Sequence, residues 1–296
     1  MASAIRRVAV LPKICIASPI IMEQISVSAP GKIILAGEHA VVYGQPAIVA
    51  AIDRRLYVTV KPGKPKKKYT GLLKFALNLL QDRVGPYGIC IDIDSRLPVG
   101  SGLGSSAALA TALVWALKPQ SVIEEKNKLV KIIEDFQHGK SSGVDQTIVR
   151  EGGFLRFQKG EFRPIKFPIK QAILIDSGKP KESTGEMVNK VATGNYQKEF
   201  KQTGNLVDNW RPELIQENER LLEKIGVVGG KAQKMIRQIE SIGGMAKVCG
   251  AGGVLAGSGM LLAIHKNEAK LLKLINDKRW HFLKVKLGEA GVRYEN

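Results

Sequence analysis

Three glycines and three serines, two of them adjacent, lie close together just before an apolar run, and these residue types suit phosphate binding. The segment reads Leu97-Pro98-Val99-Gly100-Ser101-Gly102-Leu103-Gly104-Ser105-Ser106-Ala107-Ala108. Glycine permits a tight loop whose backbone N–H groups turn inward, and the first turn of a following helix adds unpaired donors and a positive dipole end. The spacing therefore predicts a phosphate-binding loop, and the alternative is a glycine-rich turn before a core helix.

A second group of polar side chains lies upstream of this loop. Lys32, Glu38 and His39 fall on the turn-rich segment 29–44, which we expect between two strands. Three ionisable side chains so close in sequence suggest a site. The alternative is ordinary polarity in a surface loop, since lysines are mostly exposed.

A third group contains Glu134, His138 and Asp145. Glu134 comes near the end of an amphipathic helix, where a carboxylate is unfavourable against the helix dipole unless a cation is near. Mg²⁺ is such a cation, and it is commonly held by one or two protein oxygens together with phosphates. The alternative is a solvated glutamate at a helix end.

Several common catalytic patterns are excluded. Gly139-Lys140-Ser141 resembles the end of a P-loop, but that motif requires glycine where Glu134 stands. Neither glycine loop fits the dinucleotide pattern, because Ser105 and Leu255 occupy the place of its last glycine. The motifs of zinc peptidases, of dithiol sites and of serine hydrolases are also missing from the sequence.

The elements that would position these residues are predicted from periodicity. Short β-branched runs predict strands within residues 25–28, 33–35, 46–49 and 56–60, and the alternation of Ile89, Ile91 and Ile93 predicts a strand that enters the glycine loop. Residues 106–117 are apolar nearly all round, which is typical of a buried helix whose N-terminus faces an internal cleft. Residues 121–137 form an amphipathic helix that ends at Gly139.

The second half of the chain mixes helices and strands. We expect strands at 154–157 and 172–175, helices at 182–193, 212–225 and 231–242, and then strands at 245–249, 260–265 and 281–287 around a final helix. Pro164 and Pro168 mark the expected boundary between two domains, 23–166 and 167–296. This order of elements favours an α+β fold.

The composition is that of a soluble globular protein with a basic surface. Of 296 residues, 44% are hydrophobic and 24% are charged, and the formal net charge is +18. The excess lysines fall partly in residues 61–68 and 266–286. Aromatics for base stacking are few there, none in 61–68 and only Trp280 and Phe282 in 266–286, so no nucleic-acid partner is expected. A basic surface also suits small polyanionic substrates. A basic binding module without catalysis is the alternative from another functional class.

Other bulk features limit location and cofactors. Cys15, Cys90 and Cys249 are odd in number and far apart, which indicates a reducing compartment and neither a disulfide framework nor a structural zinc site. No apolar run is long enough to span a membrane, so we expect a soluble, cytoplasmic protein with no membrane partner. Residues 1–22 lack acidic side chains, and we interpret them as a disordered or non-native extension rather than a transit peptide.

With these motifs in hand, the chain resembles the GHMP kinase superfamily, most closely its mevalonate kinase branch. Segments 30–44, 98–108 and 250–253 resemble the three motifs of the superfamily in the family order. The resemblance covers about residue 24 to residue 296. It implies a two-domain GHMP kinase fold, with a ribosomal S5 domain 2-like N-terminal domain and a ferredoxin-like C-terminal domain.

The resemblance also implies an activity, which is ATP-dependent phosphorylation of the primary (C5) hydroxyl of mevalonate in isoprenoid precursor synthesis. The alternative within the superfamily is a phosphomevalonate- or homoserine-type kinase. ATP and Mg²⁺ are then the expected co-substrate and metal, and a homodimer is a further possibility.

The family's functional residues carry over where this sequence matches. Asp145 would be the catalytic carboxylate and Lys32 the cation beside it, while Ser106 and Glu134 would hold Mg²⁺. The expected nucleotide-binding residues are Pro98, Gly100, Gly102, Leu103, Gly104, Ser105 and Ser106. The expected substrate-binding residues are Glu38, His39, Thr184, Gly250 and Ala251, of which Glu38, His39 and Thr184 match positions that shape the mevalonate pocket in the family.

Two segments depart from the family pattern. Ser141-Ser142-Gly143 stands where a Pro-Ser-Gly is usual before the catalytic Asp. The third glycine motif continues as Val254-Leu255-Ala256-Gly257-Ser258-Gly259 instead of as an unbroken glycine run.

Overall fold

The computed structural model describes residues 23–63, 69, 71–80, 88–98, 100–139 and 141–295. The predicted extension 1–22, Cys15, Val99 and most of the lysine-rich stretch 61–68 lie outside these ranges. Within the described residues, the strands are β1 (Ile25–Ala36), β2 (Ala47–Pro62), β3 (Ile89–Ser95), β4 (Phe154–Gln158), β5 (Glu161–Pro164), β6 (Gln171–Asp176), β7 (Met245–Val248), β8 (Met260–Ile264), β9 (Phe282–Lys286) and β10 (Arg293–Glu295). The helices are α1 (Gly71–Leu80), α2 (Ser105–Leu117), α3 (Ile123–His138), α4 (Val144–Glu151), α5 (Thr184–Ala192), α6 (Gln197–Asp208), α7 (Leu214–Lys224), α8 (Gly230–Ser241) and α9 (Glu268–Asp277).

The first sheet is built on a long antiparallel pair, β1 and β2. Its order is β10-β1-β2-β4-β5, and β3 also pairs with β2. The short strands expected within 25–35 and 46–60 are continuous, because two register shifts, at Pro30/Gly31 and at Ile34/Ala36, absorb the glycine and proline without ending the ladder. Alternate side chains of β2, such as Val58 and Val60, are fully buried.

Helix α2 packs on β1 and β2 of this sheet. As predicted, it is buried on nearly all sides. Helix α3 packs beside it and ends at Gly139, whose φ of 81° lies in the left-handed region. These contacts hold the N-terminus of α2, where Ser106 lies, next to the C-terminal part of α3, where Glu134 lies.

The second sheet has the order β7-β8-β6-β9, with all neighbours antiparallel. Helices α7 and α8 pack against β7, and residues of α9 join the same hydrophobic cluster. Helices α5, α7 and α8 and strands β7, β8 and β9 lie within two residues of their predicted bounds. The mixed architecture confirms the predicted α+β class. Helices α1, α4 and α6 were not predicted.

The strand order does not follow the predicted domain boundary at the C-terminal end of the described chain. Strand β5 ends at Pro164 and the second sheet begins at β6, but β10 returns to pair with β1 in the first sheet. Arg55 fastens this return, since its guanidinium donates to Ala290 O and Gly291 O, each at 2.8 Å. The last strand of the described chain therefore belongs to the first sheet.

Two further expectations concern membranes and cysteines. None of the helices in the described ranges is long and apolar enough to cross a membrane. Cys90 and Cys249 are buried free thiols.

Candidate active site

A cavity of about 780 Å³ collects most of the predicted functional residues. Its walls include Lys32, Glu38, His39, Gly100, Gly102, Gly104, Ser105, Ser106, Glu134, Asp145, Thr184, Gly250 and Ala251. Pro98 lies instead on a smaller hollow of about 360 Å³, and Leu103 lies in the core. The volume suits a nucleotide together with a small second substrate.

The glycine loop presents backbone donors to this cavity. Gly100, Gly102 and Gly104 all have positive φ, from 72° to 81°, and Gly104 is the N-cap of α2. No described side chain caps the first turn of α2, so its N–H groups stay available to an anion. A Cβ at Gly104 would lie 2.7 Å from Cγ of Lys32, so glycine is needed there for the lysine to pass beneath the loop.

The glycine loop and the third glycine motif touch through their backbones. A Cβ on Gly102 would lie 2.3 Å from Cys249 O, and one on Gly250 would lie 2.8 Å from Cα of Gly102. The two motifs therefore form a single surface, in which neither glycine can be replaced without moving main chain.

Lys32 and Asp145 form the ion pair that their proposed roles require. Lys32 Nζ lies 3.1 Å from Asp145 Oδ1, and the lysine side chain is 4% exposed whereas the aspartate is 34% exposed. We expected Lys32 on a turn, but it lies inside β1, just after the shift at Pro30/Gly31, and its N–H donates to Leu103 O at 2.9 Å. Asp145 lies in the first turn of α4, so its carboxylate reaches the cavity from a helix N-terminus.

Ser106 and Glu134 form a second pair on the same cavity. Ser106 Oγ donates to Glu134 Oε1 at 2.6 Å. Burial raises the pKa of Glu134 to about 7, and the hydrogen bond from Ser106 opposes that shift. A buried carboxylate with a hydroxyl beside it is an oxygen donor set that suits Mg²⁺, and a bound cation would remove the cost of its burial.

His39 is neutral and faces Ala251. Burial lowers the pKa of His39 to about 4, and the hydrogen bond to Ala251 O acts in the opposite direction. His39 Nε2 lies 3.1 Å from Ala251 O, so Nε2 carries the proton and Nδ1 is left as an acceptor. The residue has φ of 57°, an uncommon conformation for histidine, at the start of the 3₁₀ turn Ala40–Tyr43.

Glu38 borders the cavity, but its carboxylate has protein partners. One oxygen accepts from Lys247 Nζ and the other from Asn218 Nδ2, the latter at 3.3 Å. The Glu38 side chain is 1% exposed. Because each carboxylate oxygen of Glu38 already accepts a hydrogen bond from the protein, the geometry favours an indirect role over the predicted contact with the acceptor.

The altered third glycine motif is fixed by four hydrogen bonds, and one of them needs a side chain that an unbroken glycine run lacks. Ser258 Oγ donates to Gly253 O at 2.7 Å, and Ser258 N donates to Ser177 Oγ at 3.0 Å. Glu182 accepts from the N–H groups of Val254 and Leu255, at 3.1 Å and 3.0 Å. Glu182 thereby connects this motif to α5, whose first residue is Thr184.

Sequence reasoning missed Lys247, Asn218, Glu219, Glu182 and Ser258. A signal existed for Lys247, since it interrupts the apolar strand 245–249 immediately before the third glycine motif. Asn218 and Glu219 gave no such signal, because an amphipathic helix is expected to carry polar residues.

The buried carboxyl group of Glu219 predicts a pH-dependent stability. Burial raises the pKa of Glu219 from 4.5 to about 8, against the opposing effects of the Val248 N–H and of Lys247. The folded state then holds a proton that the unfolded state releases, so stability falls as pH rises from 4.5 towards 8. The loss has an upper bound of about 1.4 kcal/mol per pH unit.

Glu219→Gln mimics the protonated group, so its unfolding free energy should lose this part of the pH dependence. The measurement is urea unfolding of both proteins at pH 5, 7 and 9. We expect the free energy of unfolding of the variant to increase relative to that of the wild type as pH rises. Glu217→Gln, at an exposed position of the same helix, is the control and should follow the wild type. A constant difference between wild type and Glu219→Gln would contradict the assignment.

Comparison with known proteins supports a family relationship. A model of the GHMP kinases N terminal domain matches residues 71–153. The mevalonate kinase of Thermococcus sibiricus is 31% identical, with 91% of this chain and 98% of the relative aligned. That of Archaeoglobus fulgidus is 33% identical over 81% of this chain and 92% of the relative. The crystal structure of the Methanococcus jannaschii mevalonate kinase superposes with a TM-score of 0.75 at 25% identity, covering 90% of this chain and 99% of that one.

Proposed function

The chain belongs to the mevalonate kinases of the GHMP kinase superfamily, and we propose that it transfers the γ-phosphoryl group of ATP to the C5 hydroxyl of mevalonate. The observation that carries the proposal is the Lys32–Asp145 pair, at 3.1 Å, on the same cavity as the glycine loop. Such a pair can accept the proton of an alcohol and stabilise the charge that develops on its oxygen.

In the proposed reaction, the acceptor hydroxyl lies between Asp145 and the γ-phosphorus. Asp145 accepts the hydroxyl proton as the new O–P bond forms, and the bond between the γ-phosphorus and the bridging oxygen breaks to release ADP. The buried ammonium group of Lys32 lowers the energy of the developing alkoxide, since few water molecules screen it there. The N–H groups of the glycine loop and of the first turn of α2 bind the phosphates and hold them in line.

The oxygens of Ser106 and Glu134 would hold Mg²⁺. In the described residues no three His, Cys, Asp or Glu side chains form a metal site by themselves. A pair of protein oxygens completed by phosphate oxygens is a usual arrangement for this ion. When bound, Mg²⁺ supplies positive charge that neutralises the phosphates.

The proposed metal ligands predict a shifted Mg²⁺ requirement. Glu134→Gln and Ser106→Ala should each raise the Mg²⁺ concentration for half-maximal activity by at least about tenfold, comparable to the loss on removing a group that supports a metal ligand. A magnesium titration at saturating substrates measures this. Glu124→Gln, at an exposed position of the same helix α3, should titrate like the wild type. An unchanged half-maximal concentration in both site variants would remove the pair from the metal site.

The substrate assignment is tested by an acceptor screen. Purified protein with ATP and Mg²⁺ is offered mevalonate, phosphomevalonate or homoserine, and the products are identified by ³¹P NMR. We expect a phosphate monoester from mevalonate and no transfer to the other two. Transfer to phosphomevalonate or to homoserine without transfer to mevalonate would assign the chain to another kinase of the superfamily.

The location and the assembly of the protein are also part of what we propose. Cys90 and Cys249 are buried free thiols, which suits a reducing compartment, and we propose that the protein is cytoplasmic. A homodimer is the assembly to test, by light scattering coupled to size-exclusion chromatography.

A further inference from the structure

Lys247 is a fully buried lysine that the reaction described above does not use. It lies in β7, and its side chain is 0% exposed. Its ammonium group donates to Ile34 O at 3.1 Å, to Val248 O at 2.7 Å and to the carboxylate of Glu38. All three protons of the ammonium group therefore have acceptors.

The Glu38 carboxylate is held from its other side as well. Asn218, in α7, donates to Glu38 Oε2 at 3.3 Å, and Asn218 Oδ1 lies 3.5 Å from Gly37 N. Both carboxylate oxygens are thus occupied. Asn218 contacts the turn at Gly37–His39 twice, at the backbone N–H of Gly37 and at the side chain of Glu38.

The Glu38–Lys247 pair connects the two sheets next to the cavity. Ile34 and Glu38 belong to β1 and the turn that follows it, whereas Lys247 belongs to β7 of the second sheet. Four residues after Lys247 comes Ala251, which accepts from His39 Nε2 at 3.1 Å. Two adjacent residues of the turn therefore contact the second sheet and its loop. Glu38 pairs with Lys247 in β7, and His39 contacts Ala251 in the loop after β7, at the cavity wall.

A stability role alone does not explain a buried ion pair. Well-packed apolar side chains of similar volume are often as stable, because the cost of taking two charges out of water can exceed the gain from their attraction. What the charges add here is direction, since the ammonium group donates to three acceptors on two sides of the cavity: Ile34 O, Val248 O and the Glu38 carboxylate. His39, whose φ of 57° is unfavourable for histidine, needs such surroundings to stay in place.

We propose that Lys247 is a positioning residue for the acceptor site: by holding Glu38 it fixes His39 against Ala251 and so shapes the acceptor wall of the cavity. The inference rests on the proposed kinase function. It assigns Glu38 to the support of His39 instead of to direct contact with the acceptor. The nucleotide wall, formed by the glycine loop and α2, touches the third glycine motif at Gly102, but α2 is held by its packing on β1 and β2. We therefore expect the nucleotide wall to depend little on Lys247.

The test is a charge-neutral double variant, Lys247→Met with Glu38→Gln, which leaves no buried charge unpaired. We expect a folded protein whose KM for the acceptor rises at least about tenfold, with the KM for ATP within about twofold of the wild type. Steady-state kinetics with each substrate varied in turn gives both constants, and thermal unfolding reports folding. The acceptor is the alcohol that the wild type phosphorylates in the screen, so failure of the mevalonate assignment is seen separately in the wild type.

A control removes an ion pair between α7 and α8 whose residues do not line the cavity. Arg220 donates to Glu240 of α8 through its guanidinium, and Arg220→Met with Glu240→Gln should leave both KM values unchanged. A folded Lys247→Met/Glu38→Gln protein with an unchanged acceptor KM would overturn the proposal and make the pair a purely structural contact. An equal rise in both KM values would overturn it as well.

A milder variant decides the case if the double variant does not fold. Lys247→Gln alone keeps Glu38 and a donor that can face it, but removes the ammonium group with its three donated hydrogen bonds. A selective rise in the acceptor KM supports the positioning role, and unchanged kinetics overturn it.

Discussion

Asp145→Asn is expected to lower kcat by about 10²- to 10⁴-fold, which is the usual contribution of a positioned general base. The substitution keeps the shape of the side chain but removes the carboxylate that would take the proton of the acceptor. The dissociation constant for ATP should stay close to that of the wild type, because in the proposed site the glycine loop and α2 would bind the phosphates mostly by backbone. Steady-state kinetics and a calorimetric titration with a non-hydrolysable ATP analogue measure the two quantities.

The variant also leaves Lys32 without its counter-charge, so folding must be checked. The Lys32 side chain is 4% exposed, and a buried charge that loses its partner destabilises the fold. Asp208→Asn is a matched control. Asp208 forms an ion pair of 2.7 Å with Arg156, and neither residue lines the cavity. The control should retain wild-type kcat. A folded Asp145→Asn protein with nearly full turnover would exclude Asp145 from proton transfer.

Gly102→Ala is expected to produce the largest loss of nucleotide binding. The new Cβ would lie 2.3 Å from Cys249 O, and both atoms are attached to main chain, so no side-chain rotation can relieve the overlap. Because the glycine loop would have to move away from the third glycine motif, its N–H groups would lose their aim at the phosphates. We expect the KM for ATP to rise by at least about tenfold, which corresponds to about 1.4 kcal/mol.

Gly160→Ala separates the overlap from backbone strain. Gly160 has φ of 88°, close to the 81° of Gly102, but a Cβ there meets nothing within 4 Å. Both variants carry the cost of a side chain at positive φ, roughly 1–2 kcal/mol of stability. Only Gly102→Ala should raise the KM for ATP. Equal kinetics in the two variants would show that the close contact of the loops does not control nucleotide binding.

The sequence was sufficient where the functional residues belong to local motifs. The glycine loop, the buried helix α2 and the stop of α3 at Gly139 follow from spacing and residue type over a few turns. Lys32 and Asp145 are far apart in the chain, and their pairing was expected from the family resemblance; the structure confirms the contact.

The sequence was insufficient where a partner comes from a distant and unremarkable segment. Glu38 and Lys247 are 209 positions apart, and neither periodicity nor composition indicates that they meet. Helix α6 was missed because its polar residues and Gly204 weaken the helical pattern, although Phe200 and Val207 are buried in the fold. Tertiary packing supplies what these local patterns lack.

The pairing of β1 with β10 has a consequence for the order of events during synthesis. Ser28 Oγ and its partner carboxylate on Glu295 are separated by 267 positions in the chain. A ribosome adds about 5–20 residues per second, so the outer edge of β1 stays open for tens of seconds after it emerges. Until residues 293–295 arrive, the nascent first sheet offers this edge to chaperones and to neighbouring nascent chains.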